Sequence, residues 1–200
     1  MLAPFYLLAL SFSTFLQVEE THIPGCICKV SGLEQAPWEP KEICRSYCPR
    51  QVNNELKRFE EQKRCREELK NLYLQYGFLD AEVACQFTAD DRGQTELHIT
   101  ITEGPQYIVK KIDIRIQGGE FDLTALREAL RIHPGDACDP RYVTISQLAL
   151  NAVVARVLGD PEFAKNPSRL QGNKYVEAEI LKEPEPGQVC LRYTVTIPPN

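Results

Sequence analysis

The sequence predicts an α+β protein built of two tandem β-α-α-β-β modules, each a three-stranded sheet covered by two helices. Three observations support this prediction. Strands with strict alternation of apolar and polar residues occur in pairs around short turns. Each pair follows a further strand and two helical stretches. The same order of elements then occurs a second time within 200 residues, a length that suits two small domains.

The N-terminal stretch MLAPFYLLALSFSTFLQV carries no charged side chain and is apolar nearly throughout. It is short for a membrane-spanning helix and polar residues follow it, so we assign residues 1–20 to a signal peptide. An uncleaved membrane anchor is the alternative, since the usual basic residue at the start is missing. We expect module 1, which is rich in cysteine, to span residues 21–104 and module 2 to span residues 105–200.

Module 1 opens with a short strand over residues 23–30, and KEICRSYC follows as one or two helical turns. A long charged helix then spans residues 52–76 and ends at Gly77. Its apolar side is predicted to consist of Leu56, Phe59, Leu69, Leu72, Tyr73 and Tyr76. Two alternating strands surround the turn ADDRG; their apolar faces comprise Leu79, Ala81, Val83, Cys85 and Phe87 in the first, and Leu97, Ile99 and Ile101 in the second.

Module 2 repeats this order with different residues. The segment YIVKKIDIRIQGG is a strand with Ile112, Ile114 and Ile116 directed inward. A short helix over residues 121–131, capped near Asp122 or Thr124, precedes a mostly apolar helix over residues 142–158. The segments KYVEAEILKEP and QVCLRYTVTI form the closing hairpin.

Eight cysteines behind an export signal indicate disulfides in an oxidising compartment. In module 1, the strand cysteines and the helix cysteines face one another across the core. We therefore expect sheet-to-helix bridges that join Cys26 and Cys28 to Cys44 and Cys48, and Cys65 to Cys85. Module 2 has only Cys138 and Cys190 to pair, although strand alternation places Cys190 on the face opposite its two neighbours.

Composition and motifs exclude several functions. The net charge is -5, and the basic residues are scattered among acids, so we expect no nucleic-acid partner. The sequence has no Gly-x-Ser-x-Gly, His-Glu-x-x-His, phosphate-loop or Cys-x-x-Cys motif, and its three histidines are isolated from one another. We therefore expect no enzymatic activity and no cofactor. A metal or thiol-redox site formed by the module 1 cysteines is the alternative that residue chemistry leaves open.

Two segments, LYLQYGFLDAEV and ITITEGPQYIVKKIDIRIQG, resemble POTRA (polypeptide-transport-associated) domains. These domains occur in bacterial outer-membrane barrel-assembly and two-partner-secretion proteins. The resemblance is specific over residues 69–118 and looser over module 2. The positions that match the family pattern are Tyr76, Gly77, Phe78, Ala81, Val83, Glu103, Gly104, Pro105, Tyr107, Ile112 and Gly118.

Glu103, Gly104 and Pro105 stand at the predicted junction of the two modules. In a tandem array the last strand of one module must lead directly into the first strand of the next. Gly104 allows the bend at any φ, and Pro105 fixes the exit direction without donating a hydrogen bond. We therefore expect a semi-rigid pair of modules.

We expect the last strand of each module, its most apolar one, to lie between the first strand and its hairpin partner. This leaves residues 79–87 and 175–181 at sheet edges, where unpaired N–H and C=O groups accept a strand from another chain. Charges and prolines protect the second edge, whereas the first is protected only at its start. The predicted docking segment is therefore Ala84, Cys85, Gln86, Phe87 and Thr88.

The resemblance implies a non-enzymatic, exported protein of the bacterial envelope, located in the periplasm and linked to outer-membrane protein assembly or secretion. Its expected partners are unfolded or extended polypeptide, or a barrel or secretion protein of the envelope. We expect a module pair without the family's C-terminal barrel. The alternatives are a membrane-anchored structural component of a division-type complex, with residues 2–18 as the anchor, and the metal or thiol-redox protein.

Overall fold

The computed structural model describes residues 18–23, 26–48, 55–89, 94–160 and 175–198. From the second strand onward, the order β-α-α-β-β occurs twice in these ranges. The elements are β1 (Val18–Ile23), β2 (Cys26–Ser31), α1 (Pro40–Tyr47), α2 (Glu55–Gln75), β3 (Glu82–Ala89), β4 (Thr95–Thr102), β5 (Ile108–Gln117), α3 (Leu123–Ala129), α4 (Pro140–Val157), β6 (Val176–Lys182) and β7 (Gln188–Thr196).

The strands form two sheets, with the order β1-β2-β4-β3 in one and β5-β7-β6 in the other. The central strand pairs in parallel with the first strand of its repeat and antiparallel with its hairpin partner, in both sheets. The predicted α+β class and the predicted central position of the last strand are therefore confirmed. We call β1–β4 with α1 and α2 the first unit, and β5–β7 with α3 and α4 the second unit.

Strand β1 makes the first sheet four-stranded rather than three-stranded. It pairs antiparallel with the whole of β2, from Val18 opposite Ser31 to Ile23 opposite Cys26. The sequence did not predict it because VEETHI lacks an alternating apolar face, and its side chains are exposed or half-buried. Strand β1 also begins inside the range assigned to the signal peptide. Residues 1–17, which hold the rest of that assignment, lie outside the described residues.

Helix α2 buries a narrower stripe than the sequence predicts. Its buried side chains are those of Cys65, Leu69 and Tyr73, at intervals of one helical turn. The same periodicity leads back through half-buried Arg58 and Gln62. Two residues predicted to be on the apolar side are wrongly assigned, since Leu56 is 67% exposed and Phe59 is 65% exposed. Tyr76, also assigned there, is 42% exposed.

Each unit has its own core. The first core contains the inward side chains of β2, β3 and β4 and the buried residues of both its helices. The second core is built mainly of aliphatic and tyrosine side chains from β5, β7, α3 and α4. Leu79, predicted for the inner face of the first hairpin, packs instead against the second core. The reason is that β3 begins only at Glu82, so Leu79 lies in the preceding turn.

Three disulfides join the first sheet to its helices. Cys26 bonds to Cys48, Cys28 to Cys44, and Cys65 to Cys85. These are sheet-to-helix bridges of the predicted kind, and each is worth about 2–4 kcal/mol in a unit of this size. The four thiolates that a metal or redox site would need are therefore engaged in two disulfides.

Cys138 and Cys190 do not form the disulfide expected in the second unit, and both are buried free thiols. Cys138 belongs to the second core, between the sheet and the helices. Cys190 pairs in register with Lys111, and its thiol interacts electrostatically with Asp113, Glu183 and Arg192, whose side chains lie on the outer face of the sheet. The two sulfurs thus lie on opposite faces of one sheet, and no rotamer change brings them together.

We expect the oxidised native protein to expose no thiol that reacts with iodoacetamide at neutral pH, and two thiols after unfolding in guanidinium without a reductant. Burial raises the pKa of Cys138 to about 11 and also raises the pKa of Cys190, so neither thiolate forms in the folded state. Intact mass after alkylation counts the modified residues. An unfolded, unreduced chain that takes up no label would mean that these two cysteines are paired.

Candidate functional site

The predicted docking segment lies on β3, an edge strand of the first sheet. Its side chains alternate strictly: Ala84, Gln86 and Thr88 are exposed, whereas Cys85 and Phe87 are each 8% exposed and face the core. Strand β4 pairs with one edge of β3, and no strand among the described residues pairs with the other. The structure therefore leaves one row of main-chain groups of β3 without a neighbouring strand.

The hydrogen bonding of β4 shows which main-chain groups of β3 point toward the open edge. The Ser31 hydroxyl donates to the carbonyl of Ile99 at 3.5 Å, so the main-chain groups of Ile99 face β2. Alternation along β4 turns Thr100 toward β3, where it pairs in register with Ala84. The main-chain groups of Ala84 therefore face β4. Those of the alternate residues Val83, Cys85 and Phe87 face the open edge.

A groove of about 250 Å³ runs between this edge and helix α2. Its residues are Phe59, Gln62, Lys63 and Arg66 from the helix and Val83, Ala84, Cys85 and Gln86 from the strand. The exposed ring of Phe59 offers an apolar contact at one side, and two basic side chains add positive charge. An extended chain could pair its backbone with β3 and place alternate side chains against this helix.

The edge of β6 is better protected, as the sequence predicts. Glu177 and Glu179 are exposed on this strand, and Glu179 pairs with Arg192 at 3.4 Å. Lys182, at its end, bonds to Asp80 of the first unit. Charges and a contact to the other unit therefore make β6 the weaker candidate for pairing with a further strand.

Glu103, the first residue of the Glu-Gly-Pro segment, is a buried carboxylate that ties three segments together. It is only 4% exposed. One carboxylate oxygen accepts from the Gln35 N–H at 2.6 Å, and the other accepts from the Ala36 N–H at 3.2 Å and the Tyr73 hydroxyl at 3.1 Å. Burial and the neighbouring carboxylate raise the pKa of Tyr73 well above its usual range, which keeps the hydroxyl a donor. The sequence predicts the bend at this segment but not this role of Glu103.

Gly104 allows the bend after Glu103, and Gly77 allows the main chains of the two units to approach closely. Gly104 has φ +68°, a conformation that favours glycine, which explains the residue at this bend. Gly77 has φ +86°, and its carbonyl accepts from the Tyr107 N–H at 2.8 Å. The Tyr107 carbonyl in turn accepts from the Cys138 N–H at 2.8 Å. A main-chain path thus joins the end of α2 directly to the second unit.

Asp80 connects the units through side chains. It accepts from the Tyr107 hydroxyl at 2.7 Å and from the Lys182 ammonium, which also lies 5.0 Å from the centre of the Tyr107 ring. Hydrogen bonds from Lys182 and Tyr107 lower the pKa of Asp80. Because the folded pKa is lowered, the contact stabilises the fold above the ordinary carboxyl range and is lost as the pH falls through the lowered value.

The described residues contain no group of three or more side chains placed to hold a metal ion. His98 contacts Glu96 on the polar face of β4 at 3.0 Å, and His133 lies 3.7 Å from Asp136 in a loop. The two histidines belong to different units. Among the described helices, none combines the length and apolar character needed to cross a membrane.

Comparison with known proteins supports the fold. No protein-family model matches the sequence, and no curated protein matches it either. The structure of BamA from Haemophilus ducreyi lacking POTRA domains 1-3 aligns with 78% of this chain and 27% of its own, at 14% identity and TM-score 0.50. POTRA domains 3-5 of BamA from Haemophilus influenzae align over 78% of this chain and 54% of theirs, at 15% identity and TM-score 0.47.

This chain therefore spans about half the length of one of these structures and about a quarter of the other. The fold resembles that of POTRA domains, as the sequence motifs predicted.

We expect Glu103→Ala to lower the free energy of unfolding by about 1–3 kcal/mol, because it removes three hydrogen bonds and leaves the buried Tyr73 hydroxyl without its acceptor. Glu177→Ala is the matched control, since this exposed carboxylate lies on β6 and its loss should cost less than about 0.5 kcal/mol. Urea unfolding monitored by circular dichroism measures both. Equal stability of the two variants would contradict the role given to Glu103.

We expect Gly77→Ala to destabilise the protein more than Gly159→Ala and to alter the relative placement of the units. Both glycines have positive φ, so both variants carry the same kind of backbone strain of about 1 kcal/mol. Only at Gly77 would the new Cβ lie 2.7 Å from the Tyr107 carbonyl, whereas nothing lies within 4 Å at Gly159.

Thermal unfolding and small-angle scattering compare the two variants. Indistinguishable melting temperatures and scattering profiles would show that the contact at Gly77 does not hold the units together.

Proposed function

We propose that this protein is a non-enzymatic, exported scaffold that binds extended polypeptide by adding it as a strand to the β3 edge. Its proposed location is the bacterial periplasm, and its proposed partners are unfolded polypeptide or a barrel or secretion protein of the envelope. The two units would be POTRA-like domains over residues 21–104 and 105–200, with the first domain extended at its N-terminal end to include β1.

The observation that carries the proposal is the open row of main-chain groups at Val83, Cys85 and Phe87 beside the α2 groove. Main-chain pairing depends little on the sequence of the added strand, which suits a protein that handles many clients. The Cys65–Cys85 disulfide anchors β3 to α2, so the edge is held in place before a partner arrives. Such preorganisation reduces the entropy lost on binding.

Two features support export. Three disulfides are typical of proteins in an oxidising compartment. The apolar stretch at residues 1–17 has the composition of a signal peptide. The intact mass of the exported protein distinguishes a cleaved signal from a retained anchor, and so separates the scaffold proposal from the anchored-component alternative.

Fluorescence polarisation with a labelled ten-residue peptide of alternating valine and threonine tests the docking site. We expect Phe59→Glu to raise the Kd at least ten-fold, because it removes the apolar contact beside the edge. Leu56→Glu is the matched control: Leu56 is as exposed as Phe59 on the same helix but does not line the groove. This variant should bind as the parent does.

A second peptide tests main-chain pairing directly. Methylation of alternate peptide nitrogens on one edge of the ligand removes the donors that a paired strand needs, without changing its side chains. We expect one of the two methylation patterns to abolish binding and the other to leave it intact. Equal binding of both methylated peptides, or an unaffected Phe59→Glu variant, would rule out strand addition at β3.

A further inference from the structure

The first strands of the two units, β2 and β5, are structurally equivalent. Each ends at a glycine of positive φ, Gly32 at +87° and Gly118 at +89°. A Cβ added at either glycine would collide with the carbonyl of the residue that faces it, Ile101 in the first unit and Ile197 in the second. Counting back from these glycines, Ile112, Ile114 and Ile116 of β5 occupy the positions of Cys26, Cys28 and Val30 of β2.

In the first unit this edge is closed. Strand β1 pairs with every residue of β2, and disulfides tie Cys26 and Cys28 to α1. As a result Cys26, Cys28 and Val30 are at most 1% exposed. The first unit therefore demonstrates that this edge accepts an antiparallel strand.

In the second unit, no strand of the described part of the chain pairs with the corresponding edge. The Gln117 carbonyl accepts from the Ile197 N–H at 2.9 Å, so its main-chain groups face β7. Alternation turns the N–H and C=O groups of Ile112, Ile114 and Ile116 to the opposite edge. Among the described residues only the loop around Ala137 pairs there, at the start of the strand.

A groove of about 360 Å³ lies between this open edge and helix α3. The three isoleucine side chains are half-buried, in contrast to their buried counterparts in the first unit. Leu123, which is 39% exposed, and Pro134 add further apolar surface to the groove. No charged side chain of β5 points inward, and inward charges are one device by which edge strands avoid pairing.

The charge of the groove specifies the kind of ligand. Arg127 lines it from α3, is exposed, and forms no ion pair with any described residue. Asp113, the acidic residue of the lining, is occupied by Arg115 at 2.8 Å and Arg192 at 3.5 Å. The unpaired guanidinium therefore favours a carboxylate on the incoming strand.

We propose that β5 is a second docking edge, which takes an extended segment of a partner polypeptide in antiparallel orientation. The segment would carry apolar side chains at alternate positions, facing the isoleucines and Leu123, and an acidic residue opposite Arg127. This site is separate from the β3 edge, lies on the other unit, and selects its ligand by charge as well as by main-chain pairing.

The test uses two labelled eight-residue peptides of alternating valine and threonine, one with a glutamate and one with a lysine in place of a single valine. We expect the glutamate peptide to bind at least ten-fold more tightly. Arg127→Glu should reverse this preference, because it changes only the charge of the groove. Arg131→Glu is the matched control, since this exposed residue lies four positions away and does not line the groove.

Amide NMR spectra of the ¹⁵N-labelled protein separate this site from the β3 edge. We expect the glutamate peptide to shift the amide signals of Ile112, Ile114 and Ile116 in both the parent protein and the Phe59→Glu variant. Shifts confined to residues 83–87, or no shift at millimolar peptide, would overturn the second site while leaving the first testable by itself. Concentration-dependent dimerisation that Arg127→Glu abolishes would also overturn it, since the edge would then bind a second copy.

Discussion

The start of the connection between the two units is anchored by one buried carboxylate, that of Glu103, at the point where β4 ends. A buried carboxylate is costly unless donors surround it, and here three donors do so, two from the loop after β2 and one from Tyr73. Tyr73 belongs to the last turn of α2, which leads to Gly77. The Gly77 carbonyl accepts from the Tyr107 N–H, so the helix end that Glu103 anchors also makes a main-chain contact with the second unit.

Element order and sheet topology were predictable because both hairpins alternate strictly and the last strand of each repeat is the most apolar. Strand β1 was not, since its pairing with β2 relies on main-chain hydrogen bonds and needs no apolar face. The exposure of Phe59 was also missed, because helical periodicity alone allowed it on the buried side. The two buried free thiols show a similar limit: an even count of cysteines predicts pairing, but Cys138 and Cys190 lie on opposite faces of a sheet.

The candidate site was predictable in place but not in detail. In a strand, side-chain direction and main-chain hydrogen bonding alternate together. On β3 the residues that present N–H groups to the open edge, Val83, Cys85 and Phe87, are therefore the same residues that fill the core. The main-chain N–H of Gln86 faces β4 instead. A Gln86→Pro substitution would therefore disrupt the pairing with His98 and would not block the open edge. The alternation of the sequence does not give this register. Methylating the peptide ligand is therefore a better test of the edge than substituting residues of β3.

The first strands of the two repeats, β2 and β5, differ in whether a further strand pairs with their outer edge. In the first unit, a fourth strand pairs along β2, and two disulfides join β2 to the α1 region. Six of the seventeen buried core side chains of this unit are disulfide-bonded cysteines. The second unit has a core of larger aliphatic and tyrosine side chains, needs no disulfide, and leaves β5 half-covered. The edge of β2 is already occupied by a strand of the same chain, whereas no described strand occupies the edge of β5 beside its apolar groove. The asymmetry between two otherwise equivalent strands thus separates a structural edge from one suited to recognition.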